Sequence, residues 1–136
     1  MSERIRVLVV DDEADYLNSL KRVLSRRGFE VQTAGDGRSA RDLLAEASFD
    51  CVLLDLQMPD IDGPATLTEL RRWDQVTPVL LLTGRGDIPS VLSALKSGSE
   101  GFLAKPCPVE ELVSAIEDAS ERKALTRARS GNNTGH

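Results

Sequence analysis

Five polar residues stand where apolar runs stop. Asp11 and Asp12 follow Arg6-Val7-Leu8-Val9-Val10, and Asp55 follows Cys51-Val52-Leu53-Leu54. Thr83 follows Pro78-Val79-Leu80-Leu81-Leu82, and Lys105 follows Gly101-Phe102-Leu103-Ala104. Three carboxylates gathered in one place repel one another, at on the order of 1 to 4 kcal/mol per pair in wet to half-buried surroundings. Such a cluster calls for a cation, and a few hard oxygen ligands open to water suit Mg²⁺ or Mn²⁺. A bare carboxylate can attack phosphorus without help from a base, provided the charge on the moving phosphoryl group is neutralised. A divalent ion, the Lys105 ammonium and the Thr83 hydroxyl can each take one phosphoryl oxygen. Taken alone, Asp55 reads equally well as a turn residue or a helix N-cap. Its company gives it a chemical role.

That company depends on the elements that carry it. The run 6–10 is β-branched and apolar on both sides, the mark of a buried parallel strand. Leu17, Leu20, Val23 and Leu24 then fall on one helical face, and Gly28 closes the helix. A short strand at 29–34 alternates enough to lie near a sheet edge. Gly35-Asp36-Gly37 turns the chain into a second helix with the stripe Ala40, Leu43, Leu44 and Ala47. The third strand ends at Asp55 and dissolves into Met58-Pro59-Asp60-Ile61-Asp62-Gly63. Pro64 opens a third helix, and a fourth strand runs into Thr83. A fourth helix uses Val91, Leu92 and Leu95, and the fifth strand ends at Lys105-Pro106. Pro108-Val109-Glu110-Glu111 starts a fifth helix with the stripe Leu112, Val113, Ile116 and Ala119.

Five strands alternating with five helices predict an α/β fold, a doubly wound five-stranded parallel sheet of order 2-1-3-4-5, flavodoxin-like. In that order the first and third strands meet at the switch point, so the polar strand ends face one crevice. A barrel needs more units than the chain supplies. The expected organisation is one domain over 1–122 and a polar, flexible tail over 123–136, with Arg122, Lys123, Arg127 and Arg129 as a solvated helix end and tail.

The bounds agree with one globular domain. The chain has 136 residues, 40% hydrophobic and 29% charged, and a net charge of −5, which argues against a dedicated nucleic-acid surface. No apolar run reaches membrane-spanning length and no signal peptide is visible, so a cytoplasmic protein is expected. Two cysteines and a single histidine, His136, do not suggest zinc or a disulfide framework.

Val9-Val10-Asp11-Asp12-Glu13, Asp55-Leu56-Gln57-Met58-Pro59-Asp60-Ile61-Asp62-Gly63, Leu82-Thr83-Gly84 and Lys105-Pro106 together resemble a response-regulator receiver domain of the CheY-like superfamily, over about residues 5–120. Each fragment alone is weak. In order, each at a strand end, they are specific. The resemblance implies Asp55 as phosphoacceptor, with Asp12, Asp55 and the Gln57 main-chain carbonyl binding Mg²⁺ and Asp11 reaching the metal through water. It implies that Lys105 and Thr83 hold phosphoryl oxygens, and that Thr83 and Phe102 form the switch pair. Gln57 and Arg85 occupy positions that tune the lifetime of the phosphorylated state in that family, and Gly84 departs from a commoner alanine.

The implied function is that of a phosphoacceptor in a two-component phosphorelay. A sensor histidine kinase or histidine phosphotransfer protein donates to Asp55, and the surface of the fourth helix, fifth strand and fifth helix switches for a downstream effector or output domain. A homodimer is compatible with this, whereas direct nucleic-acid and membrane contact are not expected. The chain is not expected to be an enzyme beyond its own phosphorylation and dephosphorylation. The alternatives are a receiver-like module that is never phosphorylated, an aspartate-nucleophile phosphatase, and a flavodoxin-type cofactor carrier. Gln57 stands where such phosphatases place a general-acid aspartate, and Asp11-Asp12-Glu13 repels an anionic cofactor.

Overall fold

The structure is a computed structural model describing residues 4–55, 71, 76–83, 101–104 and 107–134, with the side chains at 83, 102, 104 and 126–134 outside the description. Its elements are β1 (Arg6–Val10), α1 (Ala14–Arg26), β2 (Glu30–Ala34), α2 (Gly37–Glu46), β3 (Cys51–Asp55), β4 (Val79–Thr83), β5 (Gly101–Ala104) and α3 (Val109–Thr134). The helix α3 is the fifth of the sequence pattern. The third and fourth fall outside the described residues, apart from Arg71, which is helical.

All strand pairs are parallel and the sheet order is β2-β1-β3-β4-β5. Side chains of successive strand residues leave opposite faces, and the two-sided apolar runs fill both. Leu8, Val10, Val52, Leu54, Val79 and Leu81 pack with Ala40 and Phe49, partly covered by Leu43 and Leu44 of α2. Val7, Val9, Cys51, Leu53, Leu80 and Leu82 pack on the other face with Leu17, Leu20 and Leu24 of α1 and Leu112, Ile116 and Ala119 of α3. β2 lies at the sheet edge, as its alternation predicts.

Local chemistry fixes the connections. Gly28 has φ of 92°. Its N–H donates to the Ser25 carbonyl at 3.1 Å while the Phe29 N–H donates to Leu24 at 3.2 Å, the pair of bonds of a Schellman stop. A Cβ at Gly28 would meet nothing within 4 Å, so Gly28→Ala carries only the left-handed backbone penalty. It is expected to lower stability by about 1 to 2 kcal/mol, read as a lower urea midpoint.

Asp36 caps α2 by accepting from the Ser39 N–H at 2.7 Å. That hydrogen bond holds its carboxyl below the usual carboxylate range. The cap therefore stabilises above the unfolded-state pKa and is lost as pH falls through the depressed folded value. The Tm difference between native protein and Asp36→Ala is expected to be full at neutral pH and to shrink below about pH 4.

The helix at the end of the chain passes through the expected domain boundary at 122. α3 is one helix from Val109 to Thr134, and Lys123, expected in solvent, is 4% exposed. Its ammonium donates to the carbonyl of Phe49. Ala124, Leu125, Arg127, Ala128 and Arg129 are strong helix formers, so a helix anchored at Lys123 continues through a segment that lacks an apolar stripe of its own.

Candidate functional site

The register builds the site. Val10 pairs with Leu54 across β1 and β3, so the next residue on each strand, Asp11 and Asp55, stand side by side. Both continue the alternation that carries Val7, Val9 and Leu53 to the face covered by α1 and α3. Asp11 remains tied to the sheet, its N–H donating to Ala34 at 3.1 Å. Its Oδ1 accepts from the Glu13 N–H at 2.9 Å, an Asx-type turn that leads the chain into α1. Glu13, the N-cap of α1, makes no side-chain cap bond, and the Asp11 carboxylate fixes the N-cap residue itself through its N–H.

Ligand oxygens of Asp11, Asp12 and Asp55 all lie within 4.8 Å of one another. Asp11 is 0% exposed and Asp55 3% exposed, while Asp12 faces solvent. Two buried carboxylates at this range repel by about 3 kcal/mol even with an effective dielectric near 20. A divalent cation relieves that repulsion, and the donor set fits a small hard ion. Opposite oxygens around octahedral Mg²⁺ stand about 4.2 Å apart, close to the observed spread, and the exposed Asp12 leaves one side open to water and substrate.

Of the other residues singled out in the sequence, Thr83 is the last residue of β4, one place beyond Leu82, the partner of Asp55. Thr83 pairs with Ala104, so β5 stops at the same end of the sheet as the three aspartates. Phe102 lies within β5, paired with Leu81. The side chains of Thr83 and Phe102, and Gln57, Arg85, Lys105 and Pro106 altogether, lie outside the described residues. Beyond them, Cys107 is half-buried. Burial first, and then the Glu111 carboxylate, push its thiol up, which keeps it protonated and inert at neutral pH.

The interaction missed in the sequence is the one between Lys123 and Phe49. The signal for it was the spacing Leu112, Ile116, Ala119, Lys123, which continues the buried stripe of α3 by one more helical step.

The parallel α/β sheet thus carries an acidic cluster at the carboxyl ends of neighbouring strands, at the switch point of the chain. The response regulator receiver domain family matches residues 7–117, and the chain belongs to that family, the receivers of two-component systems. It is 39% identical over 125 residues to the transcriptional regulatory protein PrrA of Mycobacterium leprae, covering 92% of this chain and 54% of PrrA. It is 40% identical over 112 residues to the response regulator MprA of Mycolicibacterium vanbaalenii, covering 82% of this chain and 48% of MprA. The chain thus spans about half the length of these relatives. A crystal structure of a response regulator receiver domain protein from Clostridium thermocellum superposes with a TM-score of 0.84 at 34% identity, covering 90% of this chain and 98% of that one.

Proposed function

We propose that the chain is a phosphoacceptor, with Asp55 taking a phosphoryl group from the phosphohistidine of a sensor kinase or histidine phosphotransfer protein. The observation that carries this reading is the buried Asp55 carboxylate at the end of β3, within 4.8 Å of those of Asp11 and Asp12. An Asp55 oxygen attacks phosphorus, the bond from phosphorus to the donor imidazole nitrogen breaks, and the imidazole keeps the proton it needs to leave neutral. No base on this chain is required. Asp12, Asp55 and the Gln57 main-chain carbonyl would hold Mg²⁺, with Asp11 reaching it through water. When bound, the ion neutralises charge on the phosphoryl oxygens. Lys105 and Thr83 would take the remaining oxygens, and inward movement of Thr83 and Phe102 would reshape the surface of the fourth helix, β5 and α3.

In this reading the chain catalyses only its own phosphorylation and dephosphorylation. The effector is an output domain or a separate protein, and PrrA and MprA, a transcriptional regulatory protein and a response regulator by name, support that kind of output. Among the described residues no helix is long and apolar enough to cross a membrane, which fits a cytoplasmic partner to a kinase.

The test is incubation with acetyl phosphate. One phosphoryl group per chain, seen in the intact mass only when Mg²⁺ is present, is the expected result, and no gain at any Mg²⁺ concentration overturns the reading. The metal site has its own measurement. Millimolar Mg²⁺ is expected to raise the Tm of the native protein, whereas Asp12→Asn is expected to start from a higher metal-free Tm and to lose most of the metal-induced rise.

A further inference from the structure

The far pole of the sheet carries a contact that the phosphoryl site does not use. α3 buries Leu112, Ile116 and Ala119 to 1% exposure or less, and the next position on the same stripe is Lys123, 4% exposed. An ammonium at an apolar position is costly unless it is hydrogen-bonded, and here it donates to the Phe49 carbonyl. The acceptor is well chosen. Phe49 lies just ahead of β3, the strand whose other end is Asp55.

That acceptor is itself held rigidly. The Phe49 ring is 1% exposed and lies under the Arg6 guanidinium, 5.2 Å from its centroid. The next residue, Asp50, is bonded to β1 in both directions. Its N–H donates to the Arg6 carbonyl at 2.8 Å, and its Oδ2 accepts from the Arg6 N–H at 2.8 Å. Lys123 also lies outside the span 7–117 that matches the family, so the contact belongs to the continuation of α3. From Lys123 the helix runs on to Thr134, roughly 16 Å at 1.5 Å per residue.

We propose that Lys123 is a positioning residue that latches the continuation of α3 to β3, so that the state of Asp55 at one end of the strand is transmitted to the helix beyond the latch at the other. A hydrophobic side chain would fill the same space and leave the helix free to slide and rotate. A directional bond from an ammonium to a fixed carbonyl sets both its axial position and its rotation. The transmission half of this inference rests on Asp55 being the phosphoacceptor. The latch half does not.

The experiment is backbone amide hydrogen exchange over 119–134 in the native protein and in Lys123→Met, which keeps the stripe apolar. Each is measured with and without beryllofluoride and Mg²⁺, and Asp55 phosphorylation by acetyl phosphate is followed in parallel. Without donor, exchange over 124–134 is expected to be at least about threefold faster in Lys123→Met than in native protein; equal rates overturn the latch. With donor analogue, native exchange over that segment is expected to change, and in Lys123→Met the change is expected to vanish while Asp55 labelling stays within about twofold of native. A donor response of equal size in both proteins overturns the transmission, as does a native protein that is labelled at Asp55 yet shows no response beyond Lys123. If Asp55 is never labelled, the phosphoacceptor reading and the transmission fall together, and the donor-free comparison alone decides the latch.

Discussion

Asp55→Asn protein is expected to lose uptake of a phosphoryl group from acetyl phosphate and Mg²⁺ by at least on the order of 10³-fold, the scale seen when a nucleophile is removed. The amide matches the carboxylate in size, and at 3% exposure there is no room for a larger change of shape. What disappears is the nucleophilic oxygen with its negative charge. The same substitution removes one partner from a repelling buried pair with Asp11, so the metal-free protein is expected to melt at a higher temperature than the native one. Thermal stability and labelling thus move in opposite directions, which separates loss of chemistry from loss of fold. Labelling that survives in Asp55→Asn, mapped to Asp11 or Asp12 by peptide mass, would give the acceptor role to a neighbour.

Phe49→Ala is expected to destabilise the domain by about 3 to 5 kcal/mol, a large share of the 5 to 15 kcal/mol that holds such a domain together. The ring is 1% exposed and belongs to the core cluster formed by Leu8, Val10, Ala40, Val52, Leu54, Val79 and Leu81. Truncation leaves a void between α2 and the sheet and removes the aromatic face under Arg6, worth roughly 0.5 to 1 kcal/mol where partly exposed. Phe49→Leu refills most of the volume and is expected to cost under half as much. Both variants keep the main-chain carbonyl that accepts from Lys123, so their difference reports packing. Urea unfolding followed by circular dichroism gives the values, and a loss below about 1 kcal/mol for the alanine variant would show that the surroundings collapse onto the gap.

The aspartates were readable because each ends an apolar run, and in an open parallel sheet that position is where ligands gather. Topology converted two separate strand ends into one site. The alternation of strands and helices announced a parallel sheet covered on both faces and the pattern of β2 its edge position, while the order was that of a doubly wound sheet; the register Val10 to Leu54 places Asp11 beside Asp55. Lys123 is buried against expectation for a specific reason. Hydropathy counts lysine as a solvent residue, so Lys123 closed the stripe on paper while its four methylenes and its bonded ammonium extend it in the fold. Its acceptor, the carbonyl of Phe49, is a main-chain atom that no residue type announces. The switch pair Thr83 and Phe102 was placed by resemblance, and the backbone puts Thr83 on β4, beside β3, and Phe102 on β5, one strand further out.

Asp11 and Asp55 meet only because β1 lies against β3, although α1, β2 and α2 intervene along the chain. A chain that has made only its β1-α1-β2 unit, or one misassembled at the β1 to β3 seam, holds the same acids apart. The acidic cluster therefore comes into being only when β1 pairs with β3.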